Sequence, residues 1–252
     1  MYSDAGLDNA LFFEREYRLM FGILLSGYLW LSTAVAGGYT VVLDPGHGGT
    51  EAGAIGVTGL RESAFVLDLA LRTEEKLAEQ GIRVILTRKS DLNLTLTERA
   101  QIANTADADL FLSIHANASP SSVLYGIETY SVDVATDSSA IQVANRENDS
   151  SDLMVNTFGY GNLLLSIEFS ELVQRNMVTE LRKDYPPKGI VDLGHKTAMF
   201  SVLVKTKMPA ILFEAGFLSN PVEERQLRTA HYRDAMAEAL ADSILEWLER
   251  GK

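Results

Sequence analysis

Three short apolar runs, YTVVLD at Tyr39–Asp44, IRVILT at Ile82–Thr87 and DLFLSIH at Asp109–His115, alternate with stretches of helical periodicity. The first run is closed by Pro45-Gly46 and reads as a buried strand followed by a turn. From Glu62 to about Gln80, Val66, Leu69, Ala70 and Leu77 form a helical stripe that Gly81 ends. A shorter helix is expected over Thr97–Thr105, with Thr97 as its N-cap. Strand, helix, strand, helix, strand is the pattern of an α/β domain on a largely parallel sheet.

Further on, a strand at Gly126–Ser131 gives way to a polar stretch, Asp133–Ser151, with little periodicity. Leu172, Val173, Met177 and Leu181 mark a helix over Ser170–Asp184, which Pro186-Pro187 stops. Phe200–Val204 and Ala210–Glu214 read as strands. Asn220-Pro221-Val222-Glu223 starts a helix, with Asn as N-cap, Pro in the first position and Glu in the third. An amphipathic helix from about Tyr232 to Leu248 follows. No repeat or linker divides this region, and 252 residues suffice for one full-sized domain but hardly two.

Arg15 and Arg18 precede an uncharged run, Met20–Ala36, that ends in Ala34-Val35-Ala36. A basic flank, an apolar stretch and a small-x-small end are the parts of a secretory signal peptide. Cleavage is expected after Ala36, leaving 37–252 as the working domain; an uncleaved anchor is the other reading. Without an Arg-Arg pair, the general secretory route is expected. A formal net charge of −12 and the lack of a Lys/Arg-rich run argue against nucleic acid as a partner. Because the chain has no cysteine, disulfides and a Cys nucleophile are excluded, and any metal must be held by His and carboxylates.

Two of the four histidines follow strands: His47 in LDPGHGG and His115 in LFLSIHAN. Both therefore fall at the carboxyl ends of parallel strands, the edge where open α/β sheets bind ligands. Glu62 opens the first helix at that same edge and is a candidate third ligand, though a first-turn carboxylate also suits the helix dipole. Asp44 and Glu51 are rivals, with Asp44 as well suited to orienting the loop or a His nitrogen. Two histidines and one carboxylate on Zn²⁺ leave a fourth position for water. Glu214 ends the apolar strand AILFE, where it is either an ion-pair partner or a general base beside the metal. His231 reads as surface or capping. His195 reads as structural, with substrate contact as the other role.

The stretches VVLDPGHGG, GLRESAFVLDLA, ILTRKSDLNLTLTERAQIAN, ADLFLSIHANA and MPAILFEAGFLSNPVEE, taken in order, resemble the zinc-dependent N-acetylmuramoyl-L-alanine amidases of the kind that separate daughter cells. The resemblance covers about Tyr39 to Glu249. It implies a single domain with a twisted, mostly parallel sheet and helices on both faces. It also implies a zinc held by His47, Glu62 and His115, with Glu214 as the catalytic glutamate, and peptidoglycan as the substrate. Two positions depart from the family: Glu51-Ala52 stands where Asp-Pro is usual, and Ser63 where Lys is common. Neither is a proposed ligand. The segment from about 144 to 171 is similar to an insert in the division amidases of Gram-negative bacteria. In those relatives it forms a helix that blocks the zinc until a LytM-type activator displaces it, which points to the periplasm. Glu147 is the position matched to the blocking carboxylate, with Asp149 and Asp152 as rivals. No separate wall-binding segment is legible, so targeting is expected to come from the catalytic domain or a partner. A wall-binding module without catalysis and a zinc carboxypeptidase are the competing functions.

Overall fold

The computed structural model describes residues 38–148, 160–185 and 189–250. The expected signal segment and the rival carboxylates Asp149 and Asp152 lie outside these residues. The chain runs β1 Thr40–Pro45, α1 Glu62–Glu79, β2 Arg83–Leu86, α2 Leu96–Thr105, β3 Leu110–Asn117 and β4 Ile127–Ser131. It continues with α3 Ser138–Glu147, α4 Tyr160–Asp184, β5 Asp192–Thr197, α5 Ser201–Val204, β6 Ala210–Phe217, α6 Pro221–Leu227 and α7 Ala230–Arg250.

The strands form one sheet in the order β2-β1-β3-β6-β4-β5. Every neighbouring pair is parallel except β4 and β6, so the expected mostly parallel α/β architecture holds. Alternation along the strands splits the core in two. Val41 and Leu43 of β1, Leu112 and Ile114 of β3, and Ile211 and Phe213 of β6 face α1, α4 and α7. Val42, Phe111 and Leu212 point the other way, toward α2, α3 and α5. Burying each such side chain stabilises the fold by roughly 1.5–3 kcal/mol. On this second face, Asp44, Ser113, His115, Asn117, Glu128 and Glu214 continue the same alternation toward the sheet edge that carries the site.

Several expected elements come out differently. The N-cap of α2 is Thr95, not Thr97: its hydroxyl accepts from the Glu98 amide while Glu98 accepts from the Thr95 amide, a capping box. Phe200–Val204, expected as a strand, holds the short buried helix α5 instead. An apolar run that brief fits either element, and only tertiary packing decides. The strand β5 was not expected, because as a partly exposed edge strand DLGHKT carries no apolar run. Helix α4 begins ten residues before Ser170. Its opening turns leave Leu164 and Leu165 exposed and so show no one-sided stripe. Among the described residues no helix is long and apolar enough to cross a membrane.

Candidate metal centre

At the end of β1 the chain turns sharply, and two buried arginines hold the turn. The Arg99 guanidinium, from α2, donates to Asp44 Oδ1 at 2.8 Å, the Pro45 carbonyl at 2.8 Å and the His47 carbonyl at 2.7 Å. Arg88, just past β2, donates to the carbonyls of Pro45 (2.9 Å), Gly46 (2.7 Å) and Ser63 (2.8 Å). His47 itself has φ 56°, a left-handed conformation that costs a non-glycine residue about 1–2 kcal/mol. The bond from Arg99 to its carbonyl fixes it there. Asp44 anchors the arrangement: Thr87 and Ser113 hydroxyls also donate to it, at 2.6 and 2.8 Å. Burial alone would raise the Asp44 pKa, but the Arg99 charge and these hydrogen bonds hold it below the usual value. Asp44 is therefore a framework group rather than a ligand. Neither arginine was singled out in the sequence, although both lie in the stretch ILTRKSDLNLTLTERAQIAN.

The framework brings four donors to one point. His47 Nε2 lies 3.2 Å from Glu62 Oε1 and 3.2 Å from Glu147 Oε2. His115 Nδ1 lies 3.1 Å from Glu62 Oε1 and 3.0 Å from Glu147 Oε2. All four atoms lie within 4.8 Å of one another. Ligands about 2.0–2.1 Å from one ion stand roughly 3.3 Å apart at tetrahedral corners, close to what is seen. His47 Nε2 and Glu147 Oε2 are buried yet make no hydrogen bond. Despite their short separation they aim at a shared centre, not at each other. The donor set thus fits a divalent metal ion. Burial pushes the His47 imidazole down, but Glu62 and Glu147 raise it to about 9, while His115 is also raised by the two carboxylates. Glu62 is drawn down to about 2 by the histidines despite its burial.

Two glycines make the room. A Cβ on Gly46 would sit 2.4 Å from the His115 ring, and one on Gly53 would meet Glu62 Oε2 and His47 Cδ2, each at 2.6 Å. Glu62 is oriented by backbone amides: Ala54 donates to Oε2 at 2.8 Å and Ala116 to Oε1 at 2.9 Å.

Glu214 is the Cα partner of His115 on the neighbouring parallel strand. It lies inside β6, which runs on to Phe217, and is fully buried with neither carboxylate oxygen hydrogen-bonded. Burial, then the charge of Glu147, pushes its pKa well up. Glu147 reaches the site from the last turn of α3, a helix inside the polar stretch, seated on the sheet by Ala140, Val143 and Ala144. A cavity of about 400 Å³ opens beside these donors, lined by His47, His115 and Glu147 and rimmed by Glu51, Asn93 and Thr95.

The remaining candidates are not among the four converging donors. Glu51 is exposed at the rim, its backbone bridged to Gly48. His195 sits on the edge strand β5, its Nε2 2.9 Å from the Ser131 hydroxyl. His231 is exposed and pairs with Asp184 at 3.0 Å.

Comparison with known proteins identifies the family. The profile of the N-acetylmuramoyl-L-alanine amidase family matches residues 41–246. The chain is 36% identical over 210 residues to the N-acetylmuramoyl-L-alanine amidase LytC of Bacillus subtilis, covering 83% of this chain and 36% of that one. It is 33% identical over 217 residues to the amidase AmiA of Escherichia coli, covering 82% of this chain and 75% of that one. Among solved structures, the N-acetylmuramoyl-L-alanine amidase of Clostridium difficile 630 superposes with a TM-score of 0.69 at 31% identity, over 85% of this chain and 99% of that one. The chain belongs to the N-acetylmuramoyl-L-alanine amidase family.

Proposed function

We propose that this protein is an exported zinc amidase that hydrolyses the amide joining N-acetylmuramic acid to L-alanine in peptidoglycan, and that Glu147 holds it off. The observation that carries the reading is the convergence of His47, Glu62 and His115 on one point, with the unpartnered Glu214 on the next strand. In this reading the first three hold the zinc, which when bound acidifies water and polarises a carbonyl. Glu214 takes the proton of the attacking water and returns it to the alanine nitrogen as the C–N bond breaks. Burial and then the Glu147 charge raise its pKa, and displacing Glu147 removes the second of these, which favours the ionised form that a base needs. His47 and His115 stay neutral ligands, and the amides of Ala54 and Ala116 keep Glu62 aimed.

Glu147 Oε2, 3.2 Å from His47 Nε2 and 3.0 Å from His115 Nδ1, would take the fourth position on a bound zinc, the place that water and substrate need. The enzyme is then released by displacing α3, in keeping with the resemblance of the 144–171 region to inserts answered by LytM-type activators. The run Met20–Ala36 supports export, and with it periplasmic action in wall remodelling and daughter-cell separation.

Mass analysis of products from purified peptidoglycan tests the reaction. Free intact stem peptides are expected. Shortened stems would mean a carboxypeptidase, and no product from an unblocked enzyme would mean a binding module. His47→Ala and His115→Ala should abolish metal and turnover together. Glu214→Gln should keep the metal and lose on the order of 10²–10⁴-fold in rate. A Glu214→Gln enzyme close to wild type would move the proton transfer to another residue.

A further inference from the structure

Glu128, the second residue of β4, lies directly across from Glu214, its Cα partner on the antiparallel β6. It is 2% exposed. Its Oε1 accepts from Asn117 Nδ2 at 2.6 Å and from the Tyr130 hydroxyl at 2.8 Å, and its Oε2 accepts from Lys196 Nζ at 2.7 Å. A buried carboxylate needs partners of this kind. Two of them, however, carry the connection onward to the same helix. Lys196 Nζ also donates to Ser139 Oγ at 3.1 Å, in the first turn of α3, and that hydroxyl donates to the N-cap carboxylate of Asp137 at 2.6 Å. Asn117 turns its Oδ1 to Arg146, whose Nη2 donates to it at 2.7 Å, in the last turn of α3. Arg146 also donates to the Ala118 carbonyl. Both ends of one ten-residue helix are thus tied, through one intermediary each, to one buried charge.

We propose that Glu128 is the anchor of α3, a positioning residue that seats both ends of the helix through Lys196 and Asn117, so that α3 docks and leaves as a unit. The proposal rests on the reading of Glu147 as the group that closes the metal site, and it names what holds that group in place. Apolar contact alone is weak here, since Ala140, Val143 and Ala144 offer little surface. A helix of this length is also marginal in water by itself. Polar ties to charged groups contribute more per contact than neutral ones, and here they converge. Besides the Arg146 bond to the Ala118 carbonyl, the C-cap Asn148 bypasses the anchor: it donates to the Met199 carbonyl at 2.8 Å and accepts from the Ser201 amide at 2.7 Å.

Hydrogen exchange on the full chain, read separately at 138–141 and 144–147, tests the idea alongside peptide release from purified peptidoglycan. Ser139→Ala and Arg146→Ala each cut one arm and leave the Glu128–Lys196 pair intact. Either should speed exchange at both ends of α3 and raise basal release about tenfold, equivalent to about 1.4 kcal/mol. Glu128→Gln removes the charge facing Lys196 and should loosen both ends at once with metal content unchanged. Asn148→Ala should loosen the last turn alone. If Arg146→Ala, Ser139→Ala or Glu128→Gln frees only one end, the ends are held independently and the proposal is overturned. If Glu128→Gln does not fold, the two arm variants decide. Glu147→Ala separates the underlying reading: when the arm variants free both ends but neither they nor Glu147→Ala raise release, the anchor stands and the blocking role fails.

Discussion

The clearest constraint at the scale of single residues is a position with no side chain. Gly46 packs its α-carbon against the His115 ring and has no left-handed φ, so alanine there meets only the steric conflict with the ligand. Gly46→Ala should therefore displace His115 and weaken metal affinity by on the order of 10–100-fold, the usual effect of disturbing a group that orients a ligand. Isothermal titration with zinc reads this directly, and an unchanged affinity would mean that the ring shifts without leaving the site. Asp44 gives a second expectation, in stability. Its folded pKa lies below the unfolded value of about 3.9. The stabilisation is therefore present above that value and lost as pH falls through the folded pKa. Asp44→Asn should flatten the acid limb of a urea-stability profile. It should also cost about 3–5 kcal/mol at neutral pH, because it strands Arg99 in the interior. The sequence singled out His47, Glu62, His115, Glu147 and Glu214 because each stands at the end of a readable strand or helix, or in a family motif. It was silent on Arg88, Arg99, Asn117 and Glu128. Their importance lies in where their far ends reach, and no periodicity records that.

At the scale of elements, the difference between α1 and α3 explains both what was legible and what the fold can move. Helix α1 buries Phe65, Val66, Leu69 and Leu77, a wide stripe of large side chains that announces itself in the sequence. Helix α3 buries two alanines and one valine in a polar stretch, too little to stand out from a solvated loop. The same small face that hid α3 leaves little apolar contact to hold it on the sheet. An intramolecular carboxylate competes with substrate at high effective concentration. Removing it should raise activity without any partner. Glu147→Ala, and replacement of 138–159 by a short Gly-Ser loop, should each release peptides from peptidoglycan faster than the wild type. If only the loop replacement does so, α3 covers the cleft without Glu147 acting as the ligand that closes it. Edge strand β5 and the early turns of α4 escaped notice for a related reason: half-exposed segments have no face that must be apolar.

Across the whole molecule, the metal centre joins four parts of the chain that are far apart in sequence. Its donors come from the loop after β1, the first residue of α1, the end of β3 and the last turn of α3. An ion bound there is bound by the folded chain alone, so it stabilises the fold by mass action, by about 4 kcal/mol at a thousand times its dissociation constant. For a domain of this size that corresponds to roughly 8–16 °C in Tm, at about 2–4 °C per kcal/mol. Protons compete with the ion. Without metal, Glu62 and Glu147 hold the His47 imidazole protonated up to about pH 9, and His115 is raised with it. A metal ligand must be neutral imidazole, so loading the site at neutral pH should release about two protons. The sign follows: affinity climbs as pH rises toward 9, by about tenfold per pH unit for each proton displaced, and the His47 share of that rise ends there. Titration with zinc in buffers of different ionisation enthalpy counts those protons. Glu147→Ala supplies the contrast, because loss of one carboxylate lowers both imidazole pKa values and should reduce the count at neutral pH. A wild-type release near zero would mean that the histidines are already neutral in the bare site. In that case the short contacts among His47, His115, Glu62 and Glu147 would owe their geometry to the backbone framework of Arg88 and Arg99 rather than to charge.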